Sequence, residues 1–357
     1  MKLRESYNYG IAVPTSMATR ICPPNGAPVH TSNMFQMQAT SGESNAVNVA
    51  SSLGIKGLVL TNFVKDSPIS YFIKSELRKR NIDYFGPDIP PGGPWGYRHP
   101  CNVTDSGFGT RAPRVYNDRA GEVGRILNEK DFDFDKIFGE LGVGILHLSG
   151  IVAALSADTT KFCIDVINAA KRHGTLVSID LNHRVTFWEG REKELRESFT
   201  EMVSKTDILI GNEEDYQLSL GIEGPEHGGK DLSAQIDRFK EMIYRVKKTF
   251  PNASVFGNTL RQVISVNEHM WGALSLFGDE FTVIEPKPIR ILDRIGGGDG
   301  FSGGLLYGIL KGMSPKEATE FGWASGALAT TVLEDYASPA DEEMIWNIVK
   351  GNARVRR

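Results

Sequence analysis

Between about residues 56 and 212, short apolar runs alternate with stretches whose apolar residues recur at helical intervals. Runs 57–63, 144–149, 176–181 and 207–210 are dominated by apolar side chains, as strands covered on both faces are. Between them, 67–80, 158–173 and 192–204 space apolar positions three and four apart with charges elsewhere, which predicts amphipathic helices. Repeated strand and helix imply a parallel sheet with right-handed crossovers and helices on both faces.

Two segments break the rhythm, 12–40 and 90–119, the second crowded with Pro, Gly and aromatics from Pro91 to Tyr97. Structureless loops of that length are rare in compact domains, so each is expected to form short antiparallel strands, together a small β lid over one sheet edge. After Pro251, four short runs (254–256, 263–266, 272–276 and 281–284) sit at hairpin spacing and predict an antiparallel end to the sheet. Helices are predicted at 301–311, 315–333 and 341–350, the second opened by Pro315. The chain, 1–357, thus reads as one α/β domain carrying a lid.

Composition narrows the class. The 357 residues are 40% apolar and 24% charged, a globular balance, and the net charge of −4 comes from nearly equal numbers of both signs. No stretch has the Lys/Arg density that a phosphate backbone demands, so nucleic acid is not an expected partner. Cys22, Cys101 and Cys163 are odd in number and contain no C-x-x-C, which fits buried thiols in a reducing compartment. With no apolar leader and no run of about 18 apolar residues, the expectation is the cytoplasm and no membrane span. In that setting the glycosylation-like triplets Asn102-Val103-Thr104 and Asn252-Ala253-Ser254 carry no meaning.

Ligands of parallel α/β sheets gather at the carboxyl ends of the strands. There stand His147 and Ser149; Asp180, Asn182 and Arg184; Asn212 to Asp215; and Thr259 with Arg261. Asn212 and Asp215 also suit helix caps. The strongest local signal is Gly296-Gly297-Gly298-Asp299-Gly300-Phe301, which follows an extended stretch and opens a helix. Glycines let the backbone approach an anion, and the helix end offers free N–H groups. A carboxylate in that first turn can accept the proton of a hydroxyl attacking phosphorus. The alternative takes Asp299 as an N-cap and the glycines as close packing. The G-x-G-x-x-G match at Gly298, Gly300 and Gly303 has no room for a following βαβ unit, and the P-loop-like spacing at 224–230 continues with Asp231 instead of Ser or Thr. His residues show no zinc spacing.

The signature Asp293-Arg294-Ile295-Gly296-Gly297-Gly298-Asp299-Gly300-Phe301 resembles that closing the ribokinase-like (PfkB) carbohydrate kinases. The stretches Asp180-Leu181-Asn182-His183-Arg184, Gly211-Asn212-Glu213-Glu214-Asp215 and Thr259-Leu260-Arg261 are most similar to 2-keto-3-deoxygluconate kinases. The resemblance implies a three-layer sandwich with a mostly parallel central sheet and a β lid, acting with ATP and Mg2+ on a small sugar or sugar acid. It implies Asp299 as base and Gly296, Gly297 and Gly298 as anion hole. Asn182, Asn212, Thr259, Arg261 and Ser325 would face the nucleotide and Asp215 the metal. Ser41, Asn45, Tyr97, Arg119 and Arg184 would face the sugar, the arginines suiting a carboxylate. Lid strands of this family pair between subunits, which implies a homodimer.

The chain departs from the family on the substrate side. Thr40-Ser41-Gly42 stands where Gly-Gly is usual, Gly10 is followed by Ile11 instead of an acidic residue, and the lid tyrosine is one residue out of register at Tyr116. Another sugar or a nucleoside as acceptor, or an idle sugar or nucleotide sensor on the same fold, are the alternatives these changes raise.

Overall fold

The apolar runs form the middle of a nine-stranded sheet. Its spatial order is Glu280–Arg290, Glu268–Phe277, Val255–Ser265, Ile208–Gly211, Leu176–Asp180, Val143–Ser149, Tyr9–Pro14, Gly57–Leu60 and Ile82–Phe85. From Ile82–Phe85 to Val255–Ser265 all neighbours are parallel, and the last two pairings are antiparallel. This computed structural model describes residues 1–226, 228 and 231–352, so part of the P-loop-like stretch at 224–230 lies outside the described residues.

Alternate side chains of each inner strand enter opposite cores. Val177 and Ile179 join one apolar cluster while Leu176 joins the other. Helices Ala157–Arg172, Glu192–Val203 and Ile236–Thr249 cover the first. Gly42–Ser52, Pro68–Lys79, Gly297–Leu310 and Pro315–Ala329 cover the second. The result is the expected three-layer α/β sandwich. Helix starts are set locally: Ser156 with Thr159, and Ser314 with Glu317, form reciprocal capping boxes.

The chain enters in Tyr9–Pro14, third from one edge of the sheet, builds outward to Ile82–Phe85, then returns to the other flank of Tyr9–Pro14 at Val143–Ser149. This reversal opens a crevice beyond the carboxyl ends of those two strands. Over it stands a second sheet in the order Gln36–Thr40, Ala18–Cys22, Cys101–Asp105 and Arg114–Asp118.

Three details differ from the sequence reading. The small sheet starts at Ala18, because 12–14 belong to the central strand Tyr9–Pro14. Its middle pairing is parallel, since Ala18–Cys22 and Cys101–Asp105 come from distant segments that no hairpin constrains. After Pro251 there are three long strands instead of four short ones. The first, Val255–Ser265, has polar Asn258, Thr259 and Arg261 in its middle, which splits its apolar pattern in two. Among the described residues no helix is long and apolar enough to cross a membrane.

Candidate active site

A cavity of about 750 Å3 lies between the strand ends and the small sheet. Its floor includes Asp180, Asn182, Arg184, Asn212, Asp215, Thr259, Arg261 and the turn Gly296–Asp299, while Ser41, Asn45 and Arg119 line the other end. Residues scattered over nearly the whole sequence therefore meet in one place.

The turn is built for close approach. Asp293 accepts a bond from the Ile295 N–H at 3.0 Å, fixing the chain before Gly296. Gly296 has φ of +83° and lies against Asp335, whose carbonyl oxygen would sit 1.9 Å from any Cβ there, so only glycine fits. Gly297, Gly298 and Asp299 form the first turn of helix Gly297–Leu310, which no side chain caps. Its N–H groups and positive dipole end therefore face the cavity. Gly298 meets nothing within 4 Å, whereas Gly303 and Gly304 pack against Ala46 and Ser325. The glycines thus divide between an open anion turn and tight helix packing, and Gly296, not Asp299, is the N-cap.

The Asp299 carboxylate, free of capping, accepts a bond from Asn45 Nδ2 at 3.0 Å. Burial pushes its pKa up to about 8; the Asn45 bond opposes this, and the charges of Asp180, Asp335 and Glu43 add to it. Asp180, bonded by Ser302 at 3.0 Å, is raised by burial and by Asp215 to about 7. Gly42 faces Asp299: a Cβ there would come 3.6 Å from Oδ1. The two side chains before it are otherwise engaged. Thr40 bonds Asp335 at 2.7 Å and Ser41 caps helix Gly42–Ser52.

Asn212 and Asp215 form the capping box of helix Glu213–Leu220. The two Asp215 oxygens accept from the backbone N–H groups of Asn212 and His183, each at 2.8 Å, so Asp215 also holds the loop bearing Arg184. Burial lowers the pKa of Arg261, and the nearby guanidiniums of Arg294 and Arg184 lower it further. Such gathered positive charge beside an open helix N-terminus suits a polyanion.

A family model described as pfkB family carbohydrate kinase matches residues 142–342, which carry all of this machinery except the 41–45 segment and Arg119. The chain belongs to the pfkB family of carbohydrate kinases. The kinase is 24% identical over 342 residues to the 2-dehydro-3-deoxygalactonokinase of Haloferax volcanii, covering 95% of this chain and 96% of that protein. It is 25% identical over 305 residues to the 2-dehydro-3-deoxygluconokinase of Bacillus subtilis, covering 84% and 83%. In fold it is similar to the crystal structure of the Thermotoga maritima 2-dehydro-3-deoxygluconokinase, with TM-score 0.86 over 97% of this chain and 99% of that one at 24% identity.

At the end of the kinase's cavity beside the small sheet, Arg119 donates to Glu122 at 2.6 Å and lies 5.1 Å from the centre of the Phe187 ring. Two expected site residues do not line the cavity. Tyr97 is 38% exposed and outside the lining, and Ser325 is buried where helix Pro315–Ala329 packs on Gly304. Several lining residues escaped the sequence reading. Glu43, buried and bonded by Thr15 at 2.6 Å, has its pKa raised by burial. Asn102 and Thr104 sit two apart on strand Cys101–Asp105, and that alternation was their signal, hidden behind a glycosylation-like triplet. Beneath the small sheet, Arg20, only 1% exposed, bridges Asp293 and Asp335, with Ser106 donating to Asp293 at 2.7 Å.

Among the described residues no three His, Cys, Asp or Glu side chains are arranged to hold a metal. Mg2+ in phosphoryl-transfer sites is held by one or two carboxylates, waters and phosphate oxygens. Asp180, a hard oxygen donor beside the glycine turn, fits that requirement; Asp215 does so only alongside its two backbone bonds.

Proposed function

We propose that this kinase transfers the terminal phosphoryl group of ATP to a hydroxyl of a small sugar acid, with 2-keto-3-deoxygluconate and its galacto epimer as first candidates. The observation carrying the reading is the uncapped Asp299 carboxylate. It stands between an open glycine turn with cationic neighbours and an acceptor end that contains Asn45 and Arg119. In this reading Asp299 takes the proton of the acceptor hydroxyl as its oxygen bonds to the γ-phosphorus. The bond from that phosphorus to the β–γ bridging oxygen breaks, and ADP leaves. N–H groups of Gly297 and Gly298 stabilise the charge on the transferring group. Asn182, Asn212, Thr259 and Arg261 position the nucleotide, and Arg119 with Arg184 orients the acceptor carboxylate. Asp180 would hold Mg2+ together with phosphate oxygens, and the ion would neutralise phosphate charge when bound; a structural neighbour from Escherichia coli, TM-score 0.72 and 16% identical, was solved with ATP and Mg2+.

The names of the curated relatives support a keto-deoxy sugar acid as acceptor. Engagement of Thr40 and Ser41 with protein groups leaves the floor at Gly42 open, which supports a working enzyme over an idle sensor. Residues 1–357 form a single domain in this reading, with the small sheet as its lid. The exposed edge strand Arg114–Asp118 would pair with a second copy, and unpaired thiols suit the cytoplasm.

An ADP-release assay with ATP and Mg2+ over 2-keto-3-deoxygluconate, its galacto epimer, gluconate, fructose, ribose and adenosine tests this. Turnover confined to the keto acids is expected, and Asp299→Asn should lower kcat about 10²- to 10⁴-fold. Turnover only with neutral sugars or adenosine would discard the two-arginine pocket, and full activity in Asp299→Asn would discard the base.

A further inference from the structure

The register of the small sheet sorts its side chains into rows. Arg20 pairs with Gln38 on one side and with Asn102 on the other, and Asn102 pairs with Asn117. Strand alternation sends this row to the cavity side together with Thr104, two residues from Asn102 on its strand; Arg119, just past the end of strand Arg114–Asp118, lines the same cavity. One half of the row is largely engaged internally: Arg20 by two carboxylates, which leave only its Nε without a partner, and Gln38 by the Leu333 carbonyl. The other half is not. Asn102 Oδ1 and Thr104 Oγ1 are buried without a hydrogen-bond partner among the described residues, Thr104 being 1% exposed, and both residues line the cavity with Asn117.

We propose that Asn102, Thr104 and Asn117 are specificity-determining residues that read the hydroxyls of the acceptor. The inference rests on the sugar-acid kinase reading and narrows it to acceptors that present hydroxyls along this strip. A buried polar atom left unpaired is unfavourable, so the strip is stabilised by a ligand that supplies both donors and acceptors. Amides and a hydroxyl do both, which matches a polyol chain and not an aromatic or apolar body. Arg119 is the first residue beyond the strand and stands about 7 Å from Asn117. A carboxylate held at Arg119 therefore lays the following carbons of a six-carbon acid against the strip. An acceptor that lacks a hydroxyl there, or carries it in the wrong configuration, leaves the buried groups unpaired and is rejected.

The test uses 2-keto-3-deoxygluconate, its C4 epimer and 2-ketogluconate, which differ by the presence or configuration of one hydroxyl. Affinity is measured by calorimetry without nucleotide, alongside ADP release with ATP. The parent should separate at least two of the three by about 10- to 100-fold. Thr104→Val, which keeps the shape, and Asn102→Ala should bring them within ~3-fold while the KM for ATP and the melting temperature hold. Tyr116→Ala, on the outward face and 69% exposed, should keep the parental ratios and serves as the control. Parental ratios in Thr104→Val and Asn102→Ala overturn the strip, and so does failure of the parent to bind any of the three acids. Binding without ADP release overturns the kinase reading alone and leaves the strip judged by affinity.

Discussion

Asp299 holds its proton to about pH 8 in the folded chain, against 3.8 for an ordinary aspartate. In the proposed role of base Asp299 works only when deprotonated, so kcat/KM should climb as pH rises towards 8 and level off above it; the Asp299→Asn profile should lack that limb. The same shift bears on stability with a definite sign. Between pH 3.8 and about 8 the native state keeps a proton that the unfolded chain releases, so this group's contribution falls as pH rises through that window. Asp299→Asn removes the penalty while still accepting from Asn45. Its melting temperature should exceed the parent's at pH 8, with a smaller gain at pH 5; thermal scans at the two values check this. Asp299 was legible because the glycines around it form a local pattern. Asn102 and Thr104 were harder to single out, since their two-residue alternation gains meaning only from the strand beside them and the cavity above.

Helix Gly297–Leu310 carries two sets of glycines with opposite requirements. At Gly303 a Cβ would lie 2.2 Å from the Ala46 carbonyl oxygen, so Gly303→Ala should force the helix off Gly42–Ser52 and lower stability by about 1–3 kcal/mol. At Gly298 there is open space, so Gly298→Ala should melt near the parent temperature. It should instead lower kcat on the order of 10-fold by crowding the anion turn, less than the 10²–10³-fold of deleting a donor outright. Denaturation and steady-state kinetics on the two variants separate packing from chemistry. At this scale the inner strands and their helices were readable, because burial on both faces writes continuous apolar runs into Val143–Ser149 and Leu176–Asp180. Val255–Ser265 was misread as two strands for a functional reason: its middle residues Thr259 and Arg261 face the cavity instead of a core.

For the molecule as a whole, the sandwich and the gathering of strand ends were foreseeable from alternation. The buried union of Arg20 with Asp293 and Asp335 was not, because single charges 273 and 315 residues apart give no periodic signal. Arg20→Ala leaves two buried carboxylates unpaired and should lower stability by about 3–5 kcal/mol, as chemical denaturation would read it. Arg20→Met with Asp293→Asn and Asp335→Asn should recover part of that loss.

This union also bears on biosynthesis. Arg20 leaves the ribosome 273 residues before Asp293 and 315 before Asp335, so the glycine turn can be fastened only after that length of chain has emerged. Closing so long a loop is intrinsically slow. A nascent chain arrested before residue 293 would carry much of the parallel sheet and the small sheet, yet Arg20 would be an unpaired cation awaiting its partners.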